Sequence, residues 1–274
     1  MIFRRAAMKK YLSFFRLRFN TGLQYRAAAL AGIVTQFFWG VMEILTFRAF
    51  YDSDPSSFPM TLQATSSYIW MQQAFLALFM AWLMEGEIFE SIKNGNISYE
   101  LCRPFGIYNM WFSRSLATRL SRAVLRCFPI LLVAVFIPSP YGLGAPANPA
   151  CFLVFLLTLA LGLLNVVAFC MIIYMLSFFT ISPDGIRLVS LSMVEFFQGA
   201  IIPLPFFPDA VRKVMELLPF AAMQNVALRV YSGDLAGAAL QRAVFLQIFW
   251  FFAMLACGKA LEYRAMKKIV VQGG

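Results

Sequence analysis

The sequence predicts an all-α integral membrane protein with six transmembrane helices. Three observations carry that expectation. The 274-residue chain is 61% hydrophobic and 13% charged, with a mean hydropathy of +0.73, whereas soluble domains are about 45–50% apolar and about 25% charged. Its apolar runs have the length needed to cross roughly 30 Å of hydrocarbon. Its Lys and Arg residues gather in alternate connecting segments, as retention of positive charge on the cytoplasmic side requires. One membrane domain over residues 1–274 fills this length, and a second globular domain does not fit.

Composition also excludes chemistry. The net charge of +10 would suggest nucleic acid in a soluble protein, but here it follows from orientation against anionic lipid. The cysteines (Cys102, Cys127, Cys151, Cys170 and Cys257) are odd in number and never spaced C-x-x-C, so neither a disulfide framework nor a metal site is expected. Histidine is absent, which removes the commonest general base and metal ligand. There is no phosphate loop: the nearest fragment, Gly258-Lys259-Ala260, has Ala253 where the first glycine should stand. No enzyme activity and no cofactor are therefore expected of this chain, and any ATP must be hydrolysed by another.

Residues 1–26 carry Arg4, Arg5, Lys9, Lys10, Arg16, Arg18 and Arg26, too dispersed for the charged start of a signal peptide, so no cleavage is expected. Met8, Leu12, Phe15, Phe19 and Leu23 recur at helical spacing opposite Lys9, Ser13, Arg16 and Asn20, which predicts an amphipathic helix lying flat in the headgroup region. Spans one and two fill 27–84: about Ala27 to Phe47, an acidic loop around Asp52, Asp54, Pro55 and Pro59, then an uncharged run from Thr61 to Met84. Residues 85–114 are polar and basic and should be cytoplasmic. Spans three and four occupy 115–181, separated by the uncharged turn Pro138 to Pro149. The run from Ala150 to Ile181 would measure about 48 Å as one helix, so tilt, extension or yielding at Gly162 and Asn165 is expected.

Ser182, Pro183, Asp184 and Gly185 read as a tight inside turn before a short fifth span, 186–202. Prolines then interrupt the chain through 203–233, where Val211, Val214, Met215 and Leu218 mark a one-sided helix that Pro219 ends. Gly233 and Asp234 should cap the sixth span, 235–262, leaving 263–274 as a tail. Both termini are then cytoplasmic, because all 23 Lys and Arg except Arg48, Arg212, Lys213, Arg229 and Arg242 fall on that side.

Four features can carry function. In Glu85 to Pro104, acids load the start of a short helix, Lys93 sits near its close, and Gly95 can take the left-handed conformation that ends it. With Ile88 and Ile92 on one side, this hook is either a surface helix on headgroups or a docking helix for a soluble motor. The interrupted unit 203–233 is either an idle external loop or two short helices re-entering the outer leaflet as an exit gate. Arg119, Arg122 and Arg126 form a basic stripe that either snorkels to anionic lipid or lines a vestibule for an acidic substrate. Glu43 and Glu195 are intramembrane acids, which normally face a bundle interior; they could couple protons, and Glu43 could equally pair with Arg48. Ala28 and Gly32 suggest close helix packing.

Taken together, the chain resembles the membrane subunits of type-two ATP-binding-cassette exporters. The resemblance spans essentially the whole chain. It rests on the flat N-terminal helix, on Asn94-Gly95-Asn96-Ile97-Ser98-Tyr99-Glu100-Leu101-Cys102-Arg103-Pro104 beside the family's Ser-Gly-x-Ile-x-x-x-Leu-x-Arg-Pro pattern, on Pro203-x-Pro205-x-x-Pro208, on Leu218-Pro219-Phe220 and on the tail Val270 to Gly274. It implies a permease in the bacterial cytoplasmic membrane, paired with a second permease of the same or a sister chain, and two cytoplasmic ATPase subunits that bind ATP and Mg. Carried over to this sequence, ATPase coupling falls to Glu87, Ile88, Glu90, Ile92, Lys93, Tyr99 and Arg103, and outer gating to Pro203, Pro205, Pro208 and Pro219. A polar path through the membrane would involve Glu43, Glu195, Gln198 and Arg126. Lipids are expected partners and nucleic acid is not. The competing readings are an ATP-independent ion- or proton-coupled carrier, for which no convincing inverted repeat is visible, and a non-transporting scaffold.

Overall fold

The computed structural model describes residues 2–54, 58–103, 105–180 and 182–268, without the side chains of 2–8 and 268. Expectations touching Pro55, Pro104, Ile181, the tail Val270 to Gly274 and the side chains of Arg4, Arg5, Met8 and Lys268 lie outside the described residues. Among those residues every regular element is helical. Three helices are long and apolar enough to cross a membrane: Arg26–Ser53, Pro149–Phe179 and Gly237–Lys267.

Helix α1 (Ile2–Gly22) lies along α7 (Ile107–Phe136). Its contact with the protein lies beside the stripe expected to rest on headgroups. Tyr11 and Phe14 meet Phe105 at ring distances of 5.6 and 6.1 Å, while Leu12 stays 50% exposed. The aromatic pair wins because Phe105, just before α7, offers a ring to pack on and the backbone N–H of Gly106 donates to the Tyr11 hydroxyl at 3.1 Å.

Helix α2 (Arg26–Ser53) is apolar on most sides. The uncharged run that follows is not one helix. Thr61 accepts a capping bond from the Ala64 N–H and starts α3 (Leu62–Ala74), but the chain breaks at Phe75, restarts as α4 (Leu76–Phe79) and ends in the 3₁₀ turn Ala81–Leu83. The break exposes backbone carbonyls in an apolar setting, where each unmet group is costly. Arg119 of α7 meets them: its guanidinium donates to Ala77, Leu78 and Met80 oxygens at 3.4, 3.2 and 2.9 Å and to the Cys170 sulfur at 3.3 Å. Arg119 is 1% exposed, so it does not snorkel to lipid.

Asn148 caps α8 (Pro149–Leu176), accepting from the Cys151 N–H, and Pro149 occupies the first helical turn where its missing donor is harmless. Gly162 and Asn165 are contact points within this unbroken helix and not yielding points. A Cβ on Gly162 would overlap the Met223 carbonyl. The Asn165 amide donates to the Gln247 carbonyl at 3.0 Å, and the Gln247 amide donates in turn to Thr158 and Ala222 carbonyls at 3.1 and 2.9 Å. The bonds with Asn165 and Thr158 tie α8 to α12 (Gly237–Lys268), its most extensive neighbour, and the third ties α12 to the Ala222 backbone.

Helix α9 (Pro183–Phe197) begins at the segment expected to be a free turn. Ser182 is its cap, and Pro183 to Gly185 form its first turn. Helices α10 (Asp209–Leu217) and α11 (Asn225–Tyr231) follow the prolines. Asp234 does not cap α12: its carboxylate accepts from Arg229 at 2.5 Å, and Glu216 accepts from the same guanidinium at 2.5 Å. A buried arginine outcompetes an exposed helix end for the carboxylate.

If Arg119 holds the broken segment, Arg119→Leu leaves the Ala77 and Leu78 carbonyls unmet at about 1–3 kcal/mol each, while Met80 keeps the Leu83 N–H. Thermal unfolding of the purified protein in detergent should rank wild type above Arg119→Lys, which keeps a charge and some donors, and Arg119→Lys above Arg119→Leu.

Candidate docking and translocation sites

The elbow expected to dock a motor is built of α5 (Gly86–Lys93) and α6 (Ile97–Leu101). Gly95 between them has φ +72°, the left-handed turn its position required. The apolar side of the elbow points inward. Ile88, Phe89 and Ile97 are buried, Phe89 sits 5.0 Å from the Tyr174 ring, and Ile92 is half-buried. Ile88 is therefore a packing anchor; the expected coupling set drew on both faces of the helix because it was read without the bundle beneath it. The outward face carries Glu87, Glu90, Lys93, Arg103 and Tyr99, the last 74% exposed.

The elbow is latched from below. Arg114 of α7 forms ion pairs with both Glu85 and Glu87. The Thr118 hydroxyl donates to Glu85 at 3.1 Å, the Glu85 N–H donates to the Tyr174 hydroxyl at 2.7 Å, and the Trp111 indole donates to Glu100 at 2.6 Å. The hydrogen bond from Arg114, and then its charge, hold the Glu87 carboxyl below the usual carboxylate range. Because the Glu87 side chain is 79% exposed, water screens this pair and its energy is small.

A cavity of about 790 Å³ lies among α2, the broken α3–α4 segment and the end of α9. Three members of the expected polar path, Glu43, Glu195 and Arg126, line it. Gln198 is fully buried and lies outside it. Glu43 does not pair with Arg48, which turns to Asp52 at 3.5 Å. Instead Gln73 donates to one Glu43 oxygen at 3.4 Å, and the other oxygen has no partner. Sequence reasoning missed Thr35, Gln36, Thr46, Gln72 and Gln73, which also line the cavity. The signal was present: Gly32, Gln36, Glu43 and Thr46 fall at helical spacing on one face of α2, a polar stripe in an apolar helix.

The proline element closes one end of this space. Leu204 and Pro205 are buried in the turn Leu204–Phe206, and Phe206 reaches the rings of Phe47 and Phe58 at 5.0 and 5.6 Å. Helix α3 holds the adjoining backbone: Tyr68 donates to the Gly199 carbonyl at 3.3 Å and Gln72 to the Ala200 carbonyl at 2.9 Å. Pro203 precedes the turn, Pro208 precedes α10, and Pro219 follows its end. The prolines shape this backbone, while Phe206 is the group that meets the cavity.

The sequence model of the ABC-2 family transporter proteins matches residues 32–273. The chain belongs to that family. A search of curated proteins finds no match to it. As an ABC-2 transporter protein it is a membrane protein, and the matched region takes in the elbow, the cavity, the proline element and all of α12. Helix α1 precedes it.

Glu87 gives the ABC-2 elbow a defined acid response. Its carboxyl is depressed in the native state, so its contribution is complete above the ordinary value near pH 4.3 and is lost as pH falls through the lower native value. Hydrogen exchange of residues 86–101, corrected for intrinsic rates, should therefore accelerate as pH falls below about 4. Glu87→Gln should remove part of that acceleration.

Proposed function

We propose that this chain is the permease subunit of an ATP-driven exporter in the bacterial cytoplasmic membrane, moving an amphiphilic or hydrophobic substrate. It makes six crossings with both termini cytoplasmic. The crossings are α2, the broken α3–α4 segment, α7, α8, α9 with its extension to Ile202, and α12. Two cytoplasmic ATPase subunits bind ATP and Mg, and a second permease, the same chain or a sister, completes the complex. The chain itself carries no hydrolytic site.

The observation that carries this reading is the latch. An elbow with an outward face of Glu87, Glu90, Lys93 and Tyr99 is joined by Arg114 to α7, and α7 also contributes Arg126 to the cavity wall. A load applied to the elbow thus reaches the cavity through one helix. The Glu43, Glu195 and Arg126 set forms the polar path, and Pro203 to Pro219 with Phe206 form the outer gate.

The unpartnered Glu43 oxygen favours one other reading, a carrier coupled to protons. Reconstituted vesicles separate the two: transport that requires ATP and the ATPase supports the exporter, whereas transport driven by a pH gradient without ATP supports the carrier.

Docking is tested on the outward face, because changing Ile88 would disturb the core. Glu90→Lys with Lys93→Glu and Tyr99→Asp should abolish co-purification of the ATPase while the permease still elutes as a folded peak. Undiminished co-purification would defeat the docking assignment. Tyr99→Cys in a cysteine-free background should react with a membrane-impermeant maleimide only from the cytoplasmic side.

A further inference from the structure

A second cavity, of about 570 Å³, lies where α1, α2 and α7 meet the elbow. Four arginines line it, Arg18, Arg114, Arg122 and Arg126, against two acids, Glu85 and Glu87. Arg114 is engaged with both acids, and Arg18 lies 5.5 Å over the Phe14 ring. Among the described residues no ion pair reaches Arg122 or Arg126, and the Arg126 Nε is buried without a hydrogen-bond partner. Arg126 sits about 15 Å along α7 from its Phe136 end. An arginine at such depth in a membrane protein is costly unless an anion meets it.

The surrounding backbone is shaped for that guanidinium. A Cβ on Gly32 of α2 would stand 2.5 Å from the Arg126 Cζ and 2.8 Å from both terminal nitrogens. A Cβ on Gly22 of α1 would overlap the Ser121 hydroxyl of α7. The two glycines let α1 and α2 close around the arginine pair.

We propose that this cavity binds the phosphate headgroup of an acidic membrane lipid between Arg122 and Arg126. The pair stands one helical turn apart on α7, and two planar guanidinium forks suit the several oxygens of a phosphate. The cavity shares Arg126 and Trp82 with the larger one, whose wall there includes Met80, Leu76 and Trp39. An acyl chain has an apolar surface to follow from the headgroup, which a free anion would not use. The site goes beyond the transport reading and stands whether or not an ATPase binds.

Native mass spectrometry of the full-length chain tests it, with phosphatidylglycerol, phosphatidylcholine and inorganic phosphate as probes. One phosphatidylglycerol per chain should be retained about 30-fold more tightly than phosphatidylcholine, from roughly fivefold for each basic residue near an anionic headgroup. Arg122→Gln with Arg126→Gln should erase that preference, Arg122→Lys with Arg126→Lys should keep most of it, and Arg16→Gln, on the exposed side of α1, should leave it whole. Equal retention of the two lipids by wild type overturns the proposal, even if the double Gln variant aggregates. Full phosphatidylglycerol preference in a folded double variant overturns it too. Displacement of the lipid by millimolar inorganic phosphate would make this a free-anion site and sink the lipid assignment.

Discussion

The fold depends on one buried cation. Arg119 supplies the donors that the broken run from Ala77 to Met80 lacks, and without it that backbone would carry unmet carbonyls in a setting that tolerates almost none. Because the break is allowed, the end of this segment can turn aside and leave room for the cavity between α2 and α9. The same arginine touches Cys170 of α8, so one side chain joins three elements of the core.

Helix α7 distributes four arginines to three tasks. Arg114 holds the elbow, Arg119 holds the broken α3–α4 segment, and Arg122 with Arg126 face the inner cavity. Charge is expensive in this environment, and each side chain is directed by what its neighbours lack: carboxylates with no other cation, carbonyls with no helix partner, and space opened by two glycines. The basic stripe of Arg119, Arg122 and Arg126 is thus two separate structural devices, with Arg114 a third beside it.

The sequence made the all-helical class, the membrane character and the family legible, along with the short helix of the elbow and the helix breaks at the prolines, because hydropathy, charge asymmetry and turn chemistry are local signals. Side-chain direction was not legible. Ile88 and Ile92 look like a docking face until the bundle under α5 is known, and Arg119 looks like a lipid anchor until the helix it packs against is seen to be broken. Nothing in the uncharged run from Thr61 to Met84 announces that break, since no proline or glycine interrupts it. Glu43 and Arg48 stand close in sequence yet on different faces, and Asp234, apt as a cap, was claimed by Arg229 from across the loop. Partner choice among charges depends on which faces the packed helices bring together. The polar stripe on α2 could have been found by plotting Gln36, Glu43 and Thr46 on one helical wheel.

The cross-link between α8 and α12 has a mechanical consequence. At the level of Gln247 two hydrogen bonds join α8 to α12, with a third from Gln247 to the Ala222 carbonyl, so axial sliding of α12 past α8 would have to break the first two in the same step. Tilting about that level preserves them. The pair therefore acts as a pivot, which restricts large relative movement here to rocking and assigns lengthwise displacement to the sparsely attached α9.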